Sequence, residues 1–241
     1  MSLKDQTGQK VPNVVFKTRV GYKWVEKTTD DFFKNKKVVL FGLPGAYTPT
    51  CSSTHLPRYN ELYEDFKKAG VDDVICLSVN DTFVMNAWKE DQQADKLTML
   101  PDGNGEFSEK LGLLVDKSAI GFGKRTWRYS MLVNNGVIEK MFLEQEVPGD
   151  PFDASTAETM LKYLKADISK SVAIFTRPGC EFCFEAKELL KKNNMQFAEH
   201  VLGKDYSIKT LMAISGGTQV PQIFINGERI GGADKLKKML S

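Results

Sequence analysis

The chain has 241 residues, of which 41% are apolar and 27% charged, and its net charge is +2. That length excludes a small disulfide-stapled scaffold and admits one large or two ordinary domains; the composition excludes an intrinsically disordered chain, and +2 is too little for the basic stripe of a nucleic-acid-binding protein. No apolar run reaches the length of a membrane helix and the first twenty residues lack the apolar middle of a signal peptide, so the expected address is the cytoplasm, with neither membrane nor nucleic acid as a partner.

In chain order, Lys37-Val-Val-Leu-Phe41 and Val74-Ile-Cys-Leu-Ser-Val79 are short β-branched runs that predict buried strands. Between them Leu56, Tyr59, Tyr63 and Phe66 form an apolar stripe at helical spacing, which predicts a helix ending at Gly70. Asp81 caps a second helix through Trp88. Ser130-Met-Leu-Val133 and Val137-Ile-Glu-Lys-Met-Phe142 flank Asn134-Asn-Gly136, which predicts an antiparallel hairpin. Pro148-Gly-Asp-Pro151 breaks the pattern, and Ser155 with Glu158 predicts a capping box for a helix through Leu161 and Leu164.

Residues 167–170 then read as a short linker between a domain at 1–166 and another at 171–241. Cut after Ala166, the first part carries 22 basic and 23 acidic residues, a net −1, and the rest 11 and 8, a net +3. The second part reads as strand Val172-Ala-Ile-Phe175, a helix through Ala186, Leu189 and Leu190, a strand from Phe197 to Val201 and a helix from Ile208 to Ile214. A hairpin around Asn226-Gly227 and a last helix follow.

The four cysteines are Cys51, Cys76, Cys180 and Cys183. In a reducing compartment such thiols are catalytic, metal-bound or buried more often than they are structural disulfides. One Cys-x-x-Cys pair with His55 and His200 far from it leaves a four-ligand zinc site without a second half, so no metal is expected. Cys51 ends the stretch Leu43-Pro-Gly-Ala-Tyr-Thr-Pro-Thr-Cys51 and opens the striped helix. Pro44 and Pro49 stiffen that loop and leave its other amides and the Thr48 hydroxyl to converge on whatever the sulfur attacks.

A lone cysteine is usually a small buried hydrophobe, but Pro44-x-x-x-Thr48-x-x-Cys51 resembles the peroxiredoxin active-site pattern. With Val11-Pro12, Val79-Asn-Asp81, Pro101-Asp-Gly103 and Arg128-Tyr-Ser130, residues 3–166 resemble the type-5 peroxiredoxin branch. The resemblance implies that Cys51 attacks a hydroperoxide and becomes a sulfenic acid, that Arg128 stands beside it as fixed positive charge, and that Thr48 orients the peroxide. Cys76, in the middle of an apolar strand, reads as core. No other cysteine precedes Ala166, so the resemblance implies a one-cysteine peroxidase with an outside reductant.

Cys180-Glu-Phe-Cys183 follows a strand and opens a helix, which places the first thiol at a helix N-terminus where free N–H groups favour the thiolate, with Cys183 one turn below to resolve a mixed disulfide. Together with Arg177-Pro-Gly-Cys180, Gln219-Val-Pro221, Phe224-Ile-Asn-Gly227 and Ile230-Gly-Gly-Ala-Asp234, the segment from Ser171 to Ser241 resembles a glutaredoxin. What that implies is glutathione as a reducing co-substrate, with no permanently bound cofactor. Its contacts would be Arg177, Phe182, Val220, a cis Pro221, Gly232 and Asp234. The segment departs from the usual pattern at Glu181-Phe182, Gln219 and Lys235.

The two resemblances together match hybrid peroxiredoxin–glutaredoxin proteins of bacteria and imply an α/β architecture of two thioredoxin-fold domains. They also imply a homo-oligomer whose substrates are a hydroperoxide and glutathione, with glutathione reductase as the indirect electron source. Two other readings stay open on the residues alone: a peroxide sensor that passes oxidation to partner proteins, and iron–sulfur assembly at Cys180.

Overall fold

Residues 3–240 are described by the computed structural model, in which the chain separates into two units, Met1–Ile168 and Ser169–Ser241. The first opens with an antiparallel hairpin, β1 (Val15–Val20) and β2 (Lys23–Thr28), which no apolar alternation announces because Phe16 is its one fully buried side chain. Thr28 caps α1 (Thr29–Phe33) in a capping box with Asp31. The apolar run at Lys37 then forms β3 (Lys37–Gly42), as predicted.

The striped segment is helical but not one helix, which corrects the expectation of a single element to Gly70. Cys51–His55 is a π-helical turn, followed by α2 (Leu56–Glu61) and, after a break at Leu62, α3 (Tyr63–Lys68). Leu56 donates its N–H to the Cys51 carbonyl five residues back, and Pro57, next in line, has no N–H to continue the wide turn. The stripe itself survives, since Leu56, Tyr59 and Phe66 are all fully buried.

β4 (Asp73–Ser78) and α4 (Thr82–Asp91) follow, the Asp81 carboxylate accepting the N–H groups of Phe83 and Val84 at 2.8 and 3.0 Å. Short elements the pattern did not announce come next: β5 (Thr98–Pro101), α5 (Glu106–Lys110), β6 (Leu114–Asp116) and β7 (Lys124–Thr126). The predicted hairpin is β8 (Tyr129–Asn134) with β9 (Val137–Leu143). The last helix, α6 (Ala157–Tyr163), is capped by Thr156, whose hydroxyl accepts from Thr159 N at 3.1 Å. Ser155 is not the cap, because its hydroxyl donates to the buried Glu144 carboxylate at 2.7 Å, and Glu158 instead pairs with Arg58.

The main sheet runs β5-β4-β3-β8-β9, parallel through β3 and antiparallel from β8 onward. β3 sits at its centre with both faces covered. Val39 and Phe41 pack with Leu56, Tyr59 and Trp88, and Val38 and Leu40 with Phe16, Phe33 and Trp127. Because β8 is antiparallel to β3 and Gly42 pairs with Tyr129, the end of β3 and the start of β8 lie at the same edge. Arg128 is thereby carried to the loop that holds Cys51. A Cβ on Gly42 would stand 2.3 Å from the Tyr129 ring, so only glycine permits this approach.

The second unit comprises β10 (Val172–Thr176), α7 (Glu181–Lys192), β11 (Ala198–Val201), α8 (Ile208–Ser215), β12 (Gln222–Ile225), β13 (Glu228–Gly231) and α9 (Ala233–Leu240). Its sheet runs β11-β10-β12-β13, with β10 and β11 parallel and the other pairs antiparallel. Val172, Ile174, Leu190, Ile223 and Leu236 form its core.

Candidate active site

The Leu43–Thr50 loop is fixed from both sides. Thr48 donates its hydroxyl to the Gly45 carbonyl at 2.8 Å, and Ala46 N donates to Asn80 Oδ1 at 3.1 Å, an oxygen that also takes the Ser78 hydroxyl at 2.7 Å. Helical backbone follows, Ser52 N reaching Thr48 O at 3.0 Å, so Cys51 lies inside the opening turn with its side chain buried. Arg128 Nη1 points at Cys51 Sγ from 3.6 Å. Pro44, Thr48, Pro49 and Thr50 line a cavity of about 220 Å³ together with Gly149 and Asp150. The structure thus brings Pro44, Thr48, Cys51 and Arg128 into one neighbourhood.

Two further groups there were not singled out by the sequence. His55 Nδ1 lies 3.0 Å from the same Arg128 Nη1; since a guanidinium has no acceptor, the imidazole accepts and its proton is on Nε2. Burial, and then the Arg128 charge, hold the His55 pKa well below its ordinary value, so the ring is neutral. It is packed among the rings of Phe41, Tyr59 and Phe152 at 4.9, 5.4 and 4.7 Å. Asp150 Oδ1 accepts from Arg128 Nη2 at 2.6 Å, which gives the buried cation its carboxylate partner. A lone histidine four residues after a cysteine and an acid in a Pro-Gly-rich break carry no pattern, and that is why neither stood out.

This arrangement can stabilise charge on a sulfur and on an oxygen presented to it, with water kept out. A guanidinium already desolvated and held by three neighbours needs no reorganisation when charge develops beside it. Cys76 is buried in β4, and burial followed by the proximity of Cys51 pushes its thiol well above the ordinary value, so it packs rather than reacts.

In the second unit the loop Arg177-Pro178-Gly179 leads from β10 to Cys180, which caps α7 by accepting Cys183 N on its sulfur at 3.2 Å. Cys180 and Cys183 are joined as a disulfide, their Cα atoms 5.2 Å apart, and Cys183 is buried. Cys180 Sγ lies 3.9 Å from the Val220 carbonyl oxygen, and the Val220–Pro221 peptide is cis. A cavity of about 520 Å³ is lined by Phe182, Val220, Pro221, Gly232 and Asp234. Arg177 is not brought to it: it lines a separate cavity of about 600 Å³ with Cys180, Lys187 and Glu199, because β10 delivers it to the β11 side of the cysteines.

Cations in the first of these cavities come instead from Arg229, Lys235 and Lys238. Arg229 is oriented by donating Nε to Gln222 Oε1 at 2.9 Å, and a Cβ on Gly231 would stand 2.9 Å from Lys235 Cδ, so the lysine stem lies over that glycine. Among the described residues no group of three or more His, Cys, Asp or Glu side chains could hold a metal ion, and no helix is long and apolar enough to cross a membrane.

Comparison with known proteins assigns a family to each of the two units. Residues 6–161 match the Redoxin family and residues 172–230 the Glutaredoxin family. The chain is similar to the hybrid peroxiredoxin hyPrx5 of Haemophilus influenzae, at 58% identity over 98% of this chain and 99% of that protein. It is 60% identical to the peroxiredoxin sll1621 of Synechocystis, over 66% of this chain and 91% of that one. The crystal structure of reduced Prx3 from Vibrio vulnificus in complex with hydrogen peroxide superposes with a TM-score of 0.62 at 42% identity, covering 66% of this chain and 98% of that one.

Proposed function

The chain belongs to the Redoxin family and carries a Glutaredoxin domain behind it, a peroxiredoxin peroxidase with two thioredoxin-fold domains, and from that premise we propose that glutathione supplies its electrons through the fused domain. The observation that carries this reading is Cys51 Sγ set 3.6 Å from the buried Arg128 guanidinium. Cys51 thiolate attacks the peroxide, the O–O bond breaks, sulfur is oxidised to sulfenic acid, and water or an alcohol leaves. Arg128 stabilises the charge passing to the leaving oxygen, Thr48 orients the peroxide, and Pro44 keeps the loop rigid.

Glutathione then condenses with the sulfenic acid, forming a mixed disulfide on Cys51 and releasing water. Cys180 thiolate attacks the glutathione sulfur and frees Cys51. A second glutathione attacks the adduct on Cys180, frees the Cys180 thiolate and leaves as glutathione disulfide; in the other branch Cys183 attacks Cys180, releasing glutathione and forming the Cys180–Cys183 disulfide, which two glutathione molecules reduce to the dithiol with glutathione disulfide as the product, and glutathione reductase reduces that disulfide in turn. The pairing of Cys180 with Cys183 supports the two-thiol branch of this exchange. Glutathione lies along Phe182, Val220, Pro221, Gly232 and Asp234, with Arg229, Lys235 and Lys238 taking its carboxylates in place of Arg177. Residues 167–170 are the tether between domains 1–166 and 171–241. Four residues span at most ~14 Å at ~3.4 Å each, so exchange between copies of a homo-oligomer belongs to the proposal, in a glutathione-holding compartment such as the cytoplasm.

The test is NADPH-coupled peroxide turnover with glutathione and glutathione reductase for the full chain and for Cys51→Ser, Cys180→Ser and Cys183→Ser. The proposal expects loss in the first two variants and survival of the third through the one-thiol branch. Steady turnover with no partner protein added separates an enzyme from a sensing relay, and undiminished turnover by Cys51→Ser refutes the proposal.

A further inference from the structure

Arg128 is 1% exposed, and a buried guanidinium left without an anion is strongly destabilising. Its carboxylate partner, Asp150, comes from an irregular strap, residues 144–156, whose ends are fixed. Glu144 N donates to Arg128 O at 3.2 Å, while Glu144 Oε1 accepts Asp153 N and Ser155 N at 2.9 and 2.8 Å. Among the described residues, no backbone hydrogen bond holds 148–152 between those anchors. What presses this stretch onto the site is Asp150 on Nη2 and the Phe152 ring, 4.7 Å from the His55 ring and 5.5 Å from the Arg128 guanidinium carbon. Asp150 meanwhile keeps 41% of its side chain exposed and lines, with Pro44 and Thr48, the cavity beside the loop that leads into the buried Cys51.

We propose that Asp150 is a specificity-determining latch: its ion pair with Arg128 holds the strap closed over Cys51 and so admits small hydroperoxides in preference to bulky ones. The inference rests on Cys51 as the peroxide-reacting sulfur. Asp150 is the partner of Arg128 that solvent reaches, so its ion pair is the contact that water can replace, whereas the fully enclosed contacts of Arg128 to Cys51 and His55 stay in place. Opening would withdraw Gly149 and Asp150 from the cavity wall and leave Nη1 where it is.

The test uses the reduced full chain with Asp150→Asn, which keeps the shape and removes the charge, and Asp150→Glu, which keeps the charge. Single-turnover rate constants are measured with hydrogen peroxide and with cumene hydroperoxide, along with the rate of Cys51 alkylation by iodoacetamide. Trp88, whose Nε1 donates to Ser52 Oγ at 3.1 Å, serves as the fluorescent reporter beside the site. Asp150→Asn is expected to raise the cumene-to-hydrogen-peroxide ratio about fivefold and to speed alkylation by a similar factor, with Asp150→Glu close to wild type. Ratio and alkylation within twofold of wild type overturn the latch. So does an equal fall with both peroxides at unchanged alkylation, which would leave Asp150 a charge partner alone. If wild type and Cys51→Ser react alike with hydrogen peroxide, the assignment of Cys51 falls and the latch with it.

Discussion

Replacing Glu144 by glutamine tests whether the strap over Cys51 is anchored by charge. The carboxylate is buried, and its Oε1 alone accepts three bonds: Asp153 N at 2.9 Å, Ser155 N at 2.8 Å and Ser155 Oγ at 2.7 Å. Glutamine keeps the shape and an acceptor oxygen but removes the negative charge. Hydrogen bonds to a charged group exceed neutral ones by about 1 kcal/mol each, so three bonds lose about 3 kcal/mol; relief of the buried charge returns part of that and leaves roughly 2–3 kcal/mol.

For a unit of this size that loss lowers the melting temperature by about 4–12 °C, read by calorimetry on the full chain at pH 7. Burial alone would raise the Glu144 pKa, but the donations from Ser155, Asp153 and Ala154 outweigh it and hold the carboxyl below its ordinary value of 4.5. Stability from this group is therefore complete above that value and disappears as the pH falls through the lower, folded one. The gap between wild type and Glu144→Gln should narrow as the pH is lowered below 4.5. Equal melting at pH 7, or a gap unchanged at pH 3, would refute the reasoning.

Three other outcomes follow from the same geometry. The folded protein keeps His55 neutral while the unfolded chain protonates it below about 6.5, so wild-type stability should fall by up to about 1.4 kcal/mol per pH unit from this group as the pH drops toward 5. Urea titrations of His55→Phe should show a correspondingly shallower dependence, and identical slopes would count against a neutral buried imidazole. Gly42→Ala drives a methyl to 2.3 Å from the Tyr129 ring beside Arg128, and should cost about 1–3 kcal/mol in urea unfolding and slow the reaction of Cys51 with peroxide. Arg229→Ala removes the cation oriented by Gln222 in the Val220–Asp234 cavity; steady-state assays should show a severalfold higher KM for glutathione at nearly unchanged kcat, and an unchanged KM would remove Arg229 from that role.

The parts of this architecture that sequence discloses are those with a one-dimensional signature. β3 and β4 are apolar runs because both their faces are covered, and β8 and β9 flank an Asn-Asn-Gly turn whose Asn135 and Gly136 both take positive φ. Cys180 at the cap of α7 follows from a strand, a loop and a helix in succession. The hairpin of β1 and β2 stayed hidden because so few of its side chains are buried, and the π-helical turn at Cys51 because the apolar stripe passes through it unchanged.

At the first site, the grouping of Pro44, Thr48 and Cys51 on one loop was legible in sequence, while the support around Arg128 was not. His55 reaches it from 73 residues away in sequence and Asp150 from 22, each through the pairing of β8 with its neighbours rather than through any local pattern. Arg177, three residues before Cys180, lines a cavity with Cys180 itself, apart from the one that Val220 and Asp234 line, a division that the chain order does not disclose.

The account depends on glutathione reaching the oxidised Cys51 and being removed by Cys180, and peptide mass spectrometry of the Cys180→Ser chain reads that step directly. After one equivalent of hydrogen peroxide followed by glutathione, the variant should accumulate a glutathione adduct on the Cys51 peptide, which the wild-type chain clears under the same conditions. A Cys51 peptide that never carries the adduct, or an adduct cleared as fast without Cys180 as with it, would contradict the account.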